Sequence, residues 1–180
     1  MGYTHDVASA RWKASGEEVH MTLREFYIER RKAELPVFLR VLQAIPADRL
    51  GYKPHDRSPS AEQVIWTLTN ELKSCLDAAT QFKAEWKVEP PPPLDEMLRL
   101  FEQLSNDLTD AVSKMDEDSW KRVAQFYYNG KVVSEQPVGQ FLWFILFDAI
   151  HDRGQLSAYL RPMGASVPAI YGPSADSRNA

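Results

Sequence analysis

A chain of 180 residues can bury one sizeable hydrophobic core, and its 44% hydrophobic and 26% charged residues exclude a disordered or fibrous protein. The formal net charge of −4 argues against a nucleic-acid partner, because the one tight basic cluster, at residues 30–32, is interleaved with acidic residues. No apolar run approaches the roughly 20 residues that span a membrane, and the first residues lack the apolar region of a signal peptide. We therefore expect a cytoplasmic protein without a membrane partner. Cys75, the only cysteine, is expected to be a small buried residue.

In chain order, four long segments place apolar residues at the intervals of an amphipathic helix. They cover about Thr22 to Ile45, Ser60 to Trp86, Leu94 to Met115 and Pro137 to Leu160. Pro36 predicts a kink or a break in the first helix. The sequence around Ser60, with Glu62 and Gln63 in the first turn, predicts an N-terminal cap for the second.

A short β-hairpin is predicted between the third and fourth helices. Residues 123–133 (VAQFYYNGKVV) place β-branched and aromatic residues around Asn129-Gly130, a dipeptide typical of a type I′ turn. Four long helices with this insertion predict an all-α protein, a four-helix bundle over residues 22–164. We expect an N-terminal extension at residues 1–21 and an extended C-terminal tail at residues 165–180.

The predicted last helix carries acidic residues on an otherwise apolar face. At about 100° per residue, Asp148, Asp152 and Gln155 share one stripe with two aromatic residues, and His151 lies at its margin. A buried ionised carboxylate costs several kcal/mol unless it is paired, hydrogen-bonded or bound to a metal. The two aspartates therefore need a neutralising partner.

Two motifs carry a resemblance to a known family. They are HDRGQLSAYLRPMG (residues 151–164), which is followed by VPAIYGPSAD, and IPADRLGYKPHDRSPSAEQVIWTL (residues 45–68). These motifs resemble the carboxyl-terminal signature and the second-helix opening of the DinB-like (YfiT-like) superfamily of metal-dependent proteins. The resemblance covers roughly residues 22–176 and implies a four-helix bundle that is often a homodimer.

The resemblance also implies a metal site whose ligands are replaced in this chain. In the family, three histidines bind a divalent metal such as nickel or zinc: one on the second helix and two, four residues apart, on the last. Their positions match Thr67, Asp148 and Asp152 here. A tris-imidazole site cannot form from these residues.

Three interpretations of the replaced positions are open. The first is an oxygen-rich site for Mg²⁺, Mn²⁺ or Ca²⁺, formed by the three positions and Glu71, one turn beyond Thr67. The second is a mixed nitrogen and oxygen site that includes His151. The third has no metal, and neighbours such as Arg153, His151 or an arginine of the first helix neutralise the acids. The cofactor is thus Mg, Mn, Ni or Zn, or there is none, and Gln155 is a further auxiliary site residue.

The resemblance and the acidic stripe lead to three hypotheses about function. Members of the family include thiol-dependent transferases and isomerases, which implies a metal-assisted, thiol-dependent transferase or a hydrolase. Without a metal, Asp148 and Asp152 could act as a general acid/base pair. The non-catalytic alternatives are a module that binds a small cationic or polar ligand against the acids and Trp66 or Tyr159, and a structural homodimer that uses apolar faces of the first or last helix.

Overall fold

The structure is a computed structural model that describes residues 21–177 and, before them, the antiparallel strands β1 (Lys13–Ala14) and β2 (Glu17–Glu18). The helices are α1 (Leu23–Gln43), α2 (Ala61–Gln81), α3 (Leu94–Lys114), α4 (Glu117–Lys121) and α5 (Val138–Leu160). The strands β3 (Lys83–Trp86), β4 (Val123–Tyr128) and β5 (Lys131–Pro137) form one sheet in that order, and Ala47–Arg49 forms a 3₁₀ turn. A mostly helical fold is therefore confirmed. Most of the extension predicted at residues 1–21 lies outside the described residues, so the predicted domain division stays a prediction.

Both α1 and α2 begin with a capping box, in which side chain and backbone satisfy each other's hydrogen bonds. The Thr22 hydroxyl accepts a 3.1 Å hydrogen bond from the Glu25 N–H, and the Glu25 carboxylate accepts one of 2.8 Å from the Thr22 N–H. Ser60 and Gln63 make the same reciprocal pair, which confirms the predicted cap. α1 continues through Pro36, so the predicted alternative of a break was wrong. Pro36 is exposed, and water can reach the carbonyl that loses its donor.

α2 ends at Gln81 rather than at the predicted Trp86. Phe82 has a left-handed backbone conformation with a φ of 56°, which stops the helix. The chain then forms β3, in which Ala84 is buried between exposed neighbours. Buried and exposed residues alternate over only four positions in β3, and so short a strand pattern cannot be distinguished from the end of an amphipathic helix. The predicted second helix was therefore too long.

The three-stranded sheet packs against α2 and α5. β4 and β5 pair antiparallel through Asn129 (φ 50°) and Gly130 (φ 71°), and two positive φ angles are the geometry of a type I′ turn. β3 adds parallel to β4, a pairing that the sequence analysis did not include. On the inner face of the sheet, Phe126 of β4 stacks on Phe141 of α5 with ring centres 3.7 Å apart.

The long helices share one hydrophobic core. α3 packs against α1 and α2, and α5 packs against the same two helices. Tyr27, Phe38, Phe101 and Leu142 are among the large side chains that are fully buried between them. Within the described part of the chain, no helix combines the length and the apolar composition that crossing a membrane requires. The contact between α2 and α5 brings together the two helices that carry the predicted site.

Candidate functional site

Three carboxyl groups meet where α2 packs against α5. Glu71 of α2 is the most buried of them, with 4% of its surface exposed, and Asp148 and Asp152 of α5 act on its carboxyl through their charge. Burial and, after it, the negative charges of Asp148 and Asp152 raise the pKa of Glu71 to about 9. Glu71 therefore holds a proton at neutral pH. We call Glu71, Asp148 and Asp152 the carboxylate cluster.

The two aspartates of the cluster differ in their surroundings. Asp152 is half-buried, and Gln155 Nε2 donates a 2.8 Å hydrogen bond to its Oδ1 atom. Burial and the charge of Asp148 raise the pKa of the Asp152 carboxyl, whereas the neighbouring His151 opposes this shift. Asp148 and His151 are exposed. The acidic stripe of α5 is thus buried only in part, and water solvates its Asp148 end.

The donor groups do not fit the histidine-based metal centre that the family resemblance implies. His151 is exposed on α5, and Thr67 lies half-buried one turn before Glu71. Between residues 21 and 177, no group of three or more His, Cys, Asp or Glu side chains has an arrangement that could hold a metal ion. The carboxylate cluster is coupled through charge, but its members do not converge on one ion position.

Arg153 does not neutralise the carboxylate cluster, so that part of the third interpretation was wrong. Its buried guanidinium forms an ion pair with Glu34 of α1 through Nη1, and its Nη2 donates to the Tyr171 hydroxyl at 2.7 Å. The Tyr171 hydroxyl in turn donates to the Glu34 carboxylate at 3.0 Å. Arg153 of α5 thus connects α1, through Glu34, with the C-terminal tail, through Tyr171.

An arginine of the first helix, Arg31, approaches the cluster without pairing to it. Arg31 and Glu71 line one small cavity of about 10 Å³, together with Cys75 and Tyr27. In the part of the chain that the structure describes, Arg31 Nε and Glu71 Oε2 are buried and have no hydrogen-bond partner. Burial raises the pKa of the Cys75 thiol, so this cysteine is a protonated, buried side chain, as the sequence analysis expected.

A second, larger cavity of about 340 Å³ is also lined by Glu71 and lies between α2, α5 and the sheet. We call it the aromatic cavity; its lining residues are Glu71, Ser74, Ala84, Trp86, Phe126, Tyr127, Tyr128, Val133, Phe141 and Ile145. Glu71 is the one carboxyl group in this lining, and the rest is almost entirely apolar. The volume falls within the range of small-molecule sites.

Sequence reasoning missed the aromatic cavity because it assigned Trp86 to a helix. It also expected Trp66 and Tyr159 to contact a ligand, and neither lines this cavity. Trp66 Nε1 donates to the Glu89 carbonyl at 2.8 Å, and the Tyr159 hydroxyl donates to the Pro59 carbonyl at 3.3 Å. The sequence signal that could have located the cavity is the strand-like alternation of buried and exposed residues at 83–86, which ends in Trp86, together with the aromatic residues of the hairpin at 123–133.

The fold and the site define a mostly helical protein with an acidic cluster between its second and last long helices. The model of the DinB family matches residues 21–178, and the chain belongs to this family. The family membership expected from the two motifs is therefore confirmed. No curated protein matches the sequence.

Solved structures of the same fold include two DinB-like proteins. The one from Bacillus subtilis is 16% identical, with a TM-score of 0.65, and the match covers 83% of this chain and 99% of that one. The one from Bacillus cereus is 18% identical, with a TM-score of 0.65 and coverage of 82% and 97%. A mycothiol-dependent maleylpyruvate isomerase is 14% identical, with a TM-score of 0.51, and the match covers 82% of this chain and 62% of the isomerase. At these identities the likeness shows the fold alone.

Proposed function

We propose that this four-helix bundle of the DinB type is a non-catalytic protein that binds a small molecule in the aromatic cavity. The observation that carries the proposal is the position of Glu71. Glu71 lines an apolar cavity of about 340 Å³, the two aspartates of α5 act on its carboxyl, and its Oε2 atom is buried without a partner in the described chain. A buried polar atom without a hydrogen-bond partner destabilises the folded protein, and a ligand that supplies the missing hydrogen bond would remove this cost.

The proposal assigns the replaced metal positions an electrostatic role. Thr67, Asp148 and Asp152 offer only oxygen atoms, and a proton on Glu71 relieves part of the repulsion between the carboxyls. This arrangement suits a ligand that contacts the cluster from the cavity side. The thiol-dependent transferase or hydrolase with an oxygen-rich metal site is the competing function, and the clustered carboxyls are the observation in its favour.

The first test measures whether the aromatic cavity admits a small aromatic molecule. Fluorine NMR of fluoroindole, titrated with the purified protein, should show saturable binding. Ser74→Leu places a larger apolar side chain in the cavity lining and should weaken that binding at least about tenfold, because the occupied volume excludes the probe. Ser113→Leu makes the same change on the exposed surface of α3 and should bind like the wild type.

The proposal fails if fluoroindole does not bind, or if Ser74→Leu binds it as tightly as Ser113→Leu does. Elemental analysis and calorimetry with Mg²⁺, Mn²⁺, Ni²⁺ and Zn²⁺ address the competing function. About one metal ion per chain, lost in Asp148→Ala/Asp152→Ala, would establish the oxygen-rich site instead. Weak metal binding that is equal in both proteins would agree with our proposal.

A further inference from the structure

We infer that the ligand of the aromatic cavity is an uncharged, planar aromatic molecule, held between the inner face of the sheet and α5. The inference rests on the proposed function and names the chemical class of its ligand. Three observations carry it: the small side chains that create the space, the rings that surround this space, and the almost entirely apolar surface of the lining.

The space arises because two small side chains stand among large ones. Ser74 of α2 and Ala84 of β3 are both buried and line the cavity. Ala84 is the partner of Phe126 in the parallel register of β3 and β4, so both side chains lie on the inner face of the sheet. A methyl group beside a phenyl ring leaves a recess in this face, which a flat molecule can enter.

The next row of the same sheet face forms the open end of the cavity. Trp86 is the partner of Tyr128 there, and Tyr128 is 45% exposed. Val133 of β5 is skipped in the pairing with β4, which makes it the extra residue of a β-bulge, and it lines the cavity while 62% exposed. A ligand that covers this apolar rim removes it from water, and this burial favours an apolar molecule.

Aromatic residues dominate the lining and favour an aromatic ligand. Those of β3, β4 and α5 include Trp86, Phe126, Tyr128 and Phe141. Phe126 and Phe141 hold each other in place, because their rings stack with centres 3.7 Å apart. Stacked and edge-to-face contacts between rings stabilise a complex beyond the area that they bury. A saturated ligand of similar size would bury a similar area without this contribution.

The lining offers a charged ligand no compensation for its lost hydration. It contains no lysine, arginine or histidine side chain, so an anion would meet no opposite charge there. Glu71, its one carboxyl group, holds its proton at neutral pH and supplies no counter-charge to a cation. An ion that leaves water for these apolar surroundings is therefore strongly disfavoured, whereas an uncharged ligand is not.

The test compares four probes that share a skeleton of two fused rings. 2-Naphthalenemethanol is neutral and aromatic, its decahydro form is neutral and saturated, 2-naphthylmethylamine is cationic, and 2-naphthoate is anionic. Each competes with fluoroindole for the protein at neutral pH, and fluorine NMR measures the displacement. In the wild type, we expect the aromatic alcohol to bind about three- to tenfold more tightly than the saturated alcohol. It should bind at least about tenfold more tightly than either ion.

Trp86→Leu replaces a ring at the rim by an aliphatic side chain and should reduce the preference for the aromatic over the saturated alcohol by about half or more. Phe144→Leu is the matched control, because Phe144 is 61% exposed on α5 and does not line the cavity, and it should keep the wild-type preference.

The possible results separate this inference from the proposed function. If fluoroindole binds but the saturated alcohol or either ion binds as tightly as the aromatic alcohol, the inference is overturned while the proposed function stands. An unchanged preference in folded Trp86→Leu would also overturn it, because the rings of the cavity would then not select the ligand. If fluoroindole does not bind, the proposed function fails and the inference fails with it. The wild-type ranking decides the question even where a variant does not fold.

Discussion

Arg153 connects three parts of the chain through one buried guanidinium. It pairs with Glu34 of α1, hydrogen-bonds to Tyr171 of the tail, and lies 4.6 Å from the centre of the Phe38 ring. Removing one partner of a buried ion pair leaves the other charge without compensation. We predict that Arg153→Met lowers the free energy of unfolding by about 3–5 kcal/mol, measured by urea denaturation.

Arg161 provides the matched control for that prediction. Its guanidinium pairs with Asp176 at 3.1 Å, but the arginine side chain is exposed to water. Arg161→Met should therefore cost less than about 1 kcal/mol. Equal losses in the two variants would mean that Arg153 contributes no more than a surface ion pair does.

Glu71 makes the stability of the fold depend on pH. Its pKa rises from 4.5 to about 9 on folding, so between these values the folded state keeps a proton that the unfolded state releases. The stabilisation that this proton gives is complete below pH 4.5 and is lost as the pH rises through about 9. We predict that the stability of the wild type, relative to Glu71→Gln, falls across this window by up to about 1.4 kcal/mol per pH unit.

Urea denaturation of both proteins at several pH values measures this difference. Glu85→Gln, at an exposed site, should follow the wild type at every pH. A constant difference between wild type and Glu71→Gln would show that Glu71 titrates normally in the folded protein, and that burial beside the aspartates does not hold its proton.

At the level of single residues, the sequence located part of the site. Asp148, Asp152 and Gln155 were found because a helix repeats at a fixed angle, and Glu71 because it follows Thr67 by one turn. The partner of Arg153 could not be found in this way, since Glu34 is 119 positions away and only the packing of α1 against α5 brings them together. The exposure of Asp148 also depends on that packing.

Helix α5 contains two glycines that differ in their surroundings. A Cβ atom on Gly139 would lie 2.2 Å from a ring carbon of Trp120 in α4, whereas Gly154 has nothing within 4 Å of that position. Gly139 is therefore the residue that lets α4 approach α5. Gly154→Ala should stabilise the protein by about 0.5–1 kcal/mol, because alanine loses less backbone entropy in a helix.

Gly139→Ala should instead destabilise the protein by about 1–3 kcal/mol, because the methyl group forces Trp120 to move. Thermal unfolding of both variants, beside the wild type, checks the two opposite signs. Stabilisation by both substitutions would show that the indole ring of Trp120 can shift without cost.

At the level of elements, the sequence predicts best where a local signal marks a boundary. The capping boxes at Thr22 and Ser60 fix the starts of α1 and α2, and their groups lie within four residues of each other. β3 has no such signal, because its pairing with β4 joins Ala84 to Phe126 across α3 and α4. The aromatic cavity depends on this pairing, so it could not be predicted either.

For the molecule as a whole, the surfaces of α1 and α5 away from the cavity carry exposed aromatic residues. Phe144 and Phe147 are 61% and 62% exposed, and Trp143, directly before Phe144, contacts Phe26 of α1, with ring centres 5.5 Å apart. Trp143 and Phe147 are also 5.5 Å apart. Contiguous apolar surface of this kind marks interaction sites in soluble proteins. The homodimer that the sequence analysis expected would cover it.

We predict that sedimentation equilibrium gives twice the mass of one chain for the wild type and the mass of one chain for Phe144→Ser/Phe147→Ser. Both side chains are exposed in the single chain, so their removal should change its stability by no more than about 0.5 kcal/mol while it removes apolar contact area between copies. Val88→Ser is the control, because Val88 is 79% exposed on the segment after β3 and belongs to neither α1 nor α5, so its variant should remain dimeric. A monomeric wild type would exclude the homodimer. A double variant that still dimerises would place the interface on another surface, and the aromatic face of α1 and α5 would then need a different partner.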